Sequence, residues 1–63
     1  MAPHQERVVN EQAELDEKLS KMLAFFGTDI FARLDDAEKE RLQRQAGHMQ
    51  AYSDVLGERI AAF

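Results

Sequence analysis

Three polar side chains recur every seven residues in the second half of this chain: Gln45, Tyr52 and Arg59. Tyrosine offers a flat face for stacking, arginine a planar fork that grips carboxylate or phosphate, and glutamine a donor and an acceptor together. They run in step with Leu42, Met49, Leu56 and Phe63, so the two rows together describe one face of an α-helix. The chemistry they offer is recognition. Nothing comparable points to catalysis: His4 and His48 fall on different helices, without the spacing of a metal site. Ser20 and Ser53 have no neighbouring base, and no glycine-rich phosphate loop is present. No carboxylate sits in an apolar run that would raise its pKa for general-acid work. The expectation is a non-enzyme with no cofactor and no metal.

Composition narrows the partners. The 63 residues carry 12 acidic and 8 basic side chains, a net charge of −4 with no basic tract, which argues against binding the phosphate backbone of a nucleic acid polymer. No apolar run approaches the roughly 18 residues that cross a bilayer, and no secretory leader is visible, so the expected location is the cytoplasm. There is no cysteine, hence no disulfide framework and no thiolate cluster. A chain of this size buries only about 60% of its unfolded surface, so a homo-oligomer, a dimer first, is expected to complete the core.

The elements that must hold these residues are helices. From Pro3, suited to a first turn, to Phe26 no glycine or further proline intervenes. Val8, Leu15 and Met22 form one row and Gln5, Gln12, Leu19 and Phe26 its companion, widened by Val9 and Leu23. Glu14–Lys18, Glu17–Lys21 and, later, Glu40–Arg44 are spaced as i,i+4 pairs on exposed faces. Gly27 stands where a C′ glycine would end the helix. Ile30, Phe31 and Leu34 are spaced to plug the closed end of a hairpin, and Asp35 with Glu38 resembles a capping box. The predicted fold is all-α, one domain over 1–63: a helix over 3–26, a connector over 27–34 with a short helical turn, and a helix over 36–62. Packed antiparallel, such hairpins assemble into a dimeric four-helix bundle or higher homo-oligomer. The expected core comprises Val8, Leu15, Leu19, Met22, Phe26, Leu42, Met49, Leu56, Ile60 and Phe63.

Folding the ladders back sets Leu15 opposite Met49, Val8 opposite Leu56, and Gln12 opposite Tyr52. Polar residues on a core face need partners, because each unsatisfied group costs roughly 1–3 kcal/mol. Two readings of Gln12, Gln45, Tyr52 and Arg59 follow. One is a self-satisfying polar layer that fixes register and oligomer order. The other is a shallow pocket between helices or protomers, floored by Met49 and Leu56, with Tyr52 and Arg59 at its rim and Arg7 and Asn10 able to join. Glu6 and Glu11 face solvent or pair with Arg7 and Arg59, and an acidic rim would weaken anion binding. Gly47 and Gly57, inside the second helix, each cost about 1 kcal/mol relative to alanine. They are either tolerated surface glycines or points of close approach.

Two segments carry a family resemblance. Glu6-Arg7-Val8-Val9-Asn10-Glu11 with Glu14-Leu15, and Leu42, Gln45, Met49, Tyr52, Leu56 and Arg59 at their spacing, resemble a large group of small phage-encoded proteins related to a crAss-like phage protein. The resemblance covers most of the chain except the 27–34 connector. It implies a phage or prophage accessory protein in the bacterial cytoplasm that inhibits a host protein or defence system by binding. The alternative it implies is sequestration of a small nucleotide signal. Arg7, Asn10, Glu11, Gln45, Tyr52 and Arg59 are the polar members of the two segments and the expected ligand- or partner-binding set.

Overall fold

The computed structural model describes all 63 residues. Three helices follow in order: α1 over Pro3–Phe25, α2 over Asp29–Ala32 and α3 over Asp36–Ala61. The two long helices pack against each other as a hairpin 46 Å long and about as thick as two helices side by side, 15 × 13 Å.

Each end of each helix is closed by a neighbouring group, because terminal N–H and C=O groups have no partner within the helix. At the start of α1 the Ala2 N–H donates to the Gln5 side-chain oxygen (3.0 Å), and Pro3 fills the first turn. The C-terminus of α1 differs from the glycine-capped expectation. Gly27 does not adopt a left-handed conformation; its N–H donates to the Ala24 carbonyl (3.2 Å). The Thr28 hydroxyl donates to the Phe25 carbonyl (2.7 Å) and accepts from the Phe31 N–H (3.2 Å), so one side chain closes α1 and opens α2. Asp35 caps α3 by accepting from the Glu38 N–H (2.7 Å). The reciprocal half of the capping box is missing, since the Glu38 carboxylate instead accepts from Arg41 Nε (2.8 Å). Of the three expected i,i+4 pairs only Glu17–Lys21 closes, at 3.1 Å.

The closed end of the hairpin is an aromatic knot. Phe31 is buried, with the Phe26 ring 4.9 Å away and the Phe25 ring edge-on at 6.0 Å. The Lys39 ammonium lies 5.9 Å from the Phe31 ring centre on its α3 side, a cation–π lid. Leu34 is half-buried, but Ile30 is 65% exposed: its neighbour Phe31 has taken the inward position.

Along the shaft, Val8 and Leu19 are buried from α1, with Leu15, Met22 and Phe26 half-buried beside them. From α3 the inward residues are Leu42, Ala46, Met49, Ser53, Leu56 and Ile60, spaced alternately four and three. Leu56 is the most deeply buried, at 1% exposure. Phe63 does not join them; it is 48% exposed.

Truncating Leu56→Ala is expected to cost about 2–5 kcal/mol, enough to abolish cooperative unfolding in a domain this small. Gly47→Ala should do the reverse. Nothing lies within 4 Å of an added Cβ there, and alanine favours the helix by about 1 kcal/mol. Urea unfolding followed by circular dichroism reads both.

Candidate functional site

The companion row of α3 is not the one that the polar spacing indicated. Both 45/52/59 and 46/53/60 flank the 42/49/56 row, one on either side, and the hairpin uses the second. The reason is steric. Ala46 and Ser53 are buried, and Gly57 follows one turn on, so α3 turns its smallest residues toward α1 and the backbones can close. A Cβ added at Gly57 would stand 3.1 Å from the Gln12 amide nitrogen. That amide donates to the Ser53 carbonyl (3.1 Å), and the Ser53 hydroxyl donates to the Asp16 carboxylate (2.5 Å). Gln12 therefore meets Ser53 where Tyr52 was expected, a slip of one residue that turns Tyr52 out of the seam. Gly57 leaves room for the Gln12 side-chain amide, with no backbone of α1 within 4 Å of the added Cβ, and Gly47 is open helix surface.

Within the single hairpin, Gln45, Tyr52 and Arg59 form neither a buried polar layer nor the rim of a pocket. Gln45 and Arg59 are exposed, Tyr52 is 46% exposed, and none of the three side chains has a hydrogen-bond partner in the hairpin. The real polar link across the seam is Gln12–Ser53–Asp16, and no buried side-chain polar atom is left unsatisfied. Nor is there a pocket: Met49 and Leu56 are taken up by the seam, and the hairpin has no cavity. Arg7 and Asn10 are exposed on α1 and Glu11 is half-buried, with no hydrogen bond or ion pair joining any of them to Tyr52 or Arg59. Helical spacing sets Asn10 on the far side of α1 from buried Val8 and Leu19, away from the seam.

What the geometry leaves instead is a strip on one side of α3. Arg41, Gln45, His48, Tyr52, Val55 and Arg59 repeat the inward row displaced by one residue, hence about 100° round the helix. Phe63 extends it by a turn. All seven are at least a third exposed, and none is acidic, in a chain whose net charge is −4. Arg41 is held by Glu38, while Arg59 has no carboxylate within ion-pair distance. The strip thus joins a free guanidinium, a tyrosine ring, an amide and an imidazole over flanking apolar patches at Val55 and Phe63. Those groups can stack against a ring and hold a negative charge. No three histidine, aspartate or glutamate side chains cluster as a metal site would require.

A model described as Sequestin matches residues 2–62. No curated protein and no solved structure matches the chain.

The two flanking rows should answer differently to enlargement. Ala46→Leu forces the helices apart and is expected to cost about 1–3 kcal/mol. Gln45→Leu, one residue away, should fall within about 0.5 kcal/mol of the parent. Equal losses in thermal melts would mean that both rows are packed.

Proposed function

The chain belongs to the Sequestin family, and from that premise we propose that it acts without catalysis, by binding and holding a small anionic ligand that carries a ring, of which a nucleotide is the fitting class. The observation that supports this reading is the acid-free strip on α3, where Tyr52 and Arg59 stand exposed and unpaired. The family's name speaks of sequestration, which such a strip can perform with no bond made or broken. The likeness of the 6–15 and 42–59 segments to small phage-encoded proteins supports a phage or prophage accessory role in the bacterial cytoplasm, with a host signal nucleotide as the quarry. No helix is long and apolar enough to cross a membrane.

A second reading has its own observation. Leu23 and Ile30 are each more than half exposed near the closed end of the hairpin, and apolar side chains left in water there suit a protein partner. On that reading the chain inhibits a host protein by covering part of its surface.

A thermal-shift screen against linear and cyclic nucleotides separates the two. A ligand present at 100 times its Kd adds about 2.7 kcal/mol of stability, which moves the melt by about 10–20 °C in a domain this small. The shift should vanish in Tyr52→Ala and Arg59→Ala, and the nucleotide should be recovered chemically unchanged. No shift with any nucleotide, together with one dominant host protein in a pull-down that Ile30→Asp abolishes, would establish the second reading instead.

A further inference from the structure

The hairpin exposes more surface than its mass warrants. Its accessible area is 4668 Å², whereas a compact monomer of 7.2 kDa exposes about 4100 Å². Only six side chains are buried, while Tyr52, Val55 and Phe63 remain about half exposed on one side of α3. That strip follows the same alternation of four and three as the inward row, a quarter-turn or so away. A helix carrying two such rows at that angle has the pattern of a bundle helix with two neighbours, and the hairpin supplies only one.

We propose that a second copy of this chain is the other neighbour, packed antiparallel on the α3 strip with Tyr52 at the two-fold axis. The charges select this arrangement. In a parallel pairing Arg41, His48 and Arg59 would each face their own twin. In the antiparallel register centred on Tyr52, residues whose numbers add to 104 lie opposite one another. Arg59 then faces Gln45 of the second copy, Val55 lies beside His48, and Arg41 faces the Phe63 ring. No arginine meets an arginine of the second copy. The other flank of the hairpin is a poorer surface for self-association. It carries Asp16 and Asp54, already engaged by Ser53 and Gln50, so two copies would bring like charges together.

The consequence for binding rests on the ligand reading given above. The single hairpin has no cavity, but the dimer forms two equivalent sites. Each is lined by Tyr52 and Arg59 of one protomer and Gln45 of the other.

Sedimentation equilibrium of the unaltered chain gives the first readout, with twice the chain mass expected at micromolar concentration. The chain has no cysteine, so single introduced thiols report the register. A mixture of Gln45→Cys and Arg59→Cys chains, treated with a short bis-maleimide, should give the mixed cross-link in large excess over either self-cross-link. In the antiparallel register two copies of position 45 lie about 21 Å apart, beyond the reagent's reach. Gly47→Cys, on the open face of α3, should give none. A monomer at all concentrations overturns the proposal. So does a dimer in which each cysteine variant links to itself, or one in which neither links at all. Nucleotide binding by a chain that sediments as a monomer would leave the ligand reading standing and remove only the dimer.

Discussion

The close approach of α1 and α3 at Ala46, Ser53 and Gly57 is the constraint on which this structure depends. Two helices with full-sized residues on both flanks of the contact would sit further apart and leave Leu56 less completely buried. Because α3 turns its small row inward, the Gln12 amide can reach a main-chain carbonyl of the opposite helix. Such bonds cost a buried polar group little and fix the axial position of one helix against the other. The Ser53–Asp16 bond on the same turn adds a second point of registration. Two hydrogen bonds from one residue of α3 thus do what a longer apolar seam does in a larger bundle.

From that contact the placement of the remaining residues follows. Once 46 and 53 face inward, 45, 52 and 59 are carried to the flank, and their exposure is a result of the packing. The same rotation turns Phe63 outward while Ile60 stays half-buried. The knot of Phe25, Phe26 and Phe31 closes one end of the hairpin and leaves the shaft to be held by few side chains. The packed row and the strip of the proposed recognition therefore occupy adjoining sides of a single helix. Replacing a residue of the inner row disturbs both.

Much of the architecture was legible in the sequence. The heptads of α1, the break around residues 27–34 and the ladder of Leu42, Met49 and Leu56 carry strong periodic signals, and an all-helical hairpin follows from them. The choice of companion row was not legible from period alone, because positions three and four residues away flank the central row equally well. Size decided it. Alanine, serine and glycine at 46, 53 and 57 are weak signals in a hydrophobicity pattern but strong ones for interhelical distance. The Gln12–Ser53–Asp16 link was hidden for the same reason: its partners become visible only when the correct row is turned inward. Ile30 stays in solvent because a four-residue helix has room for one inward side chain, and Phe31 takes the position. Gly27 follows Phe26 but needs no left-handed turn, since the Thr28 hydroxyl already accepts the work of closing the helix.

The separation of charge on α3 has a further effect. A molecule with an acidic isoelectric point migrates and fractionates as an anion, yet one of its sides repels no anion at short range. An anion approaching along that side meets the unpaired Arg59 and no carboxylate of the strip, so the charge pattern favours that direction of approach. Salt would weaken that preference, and with it the rate of the proposed capture more than its hold.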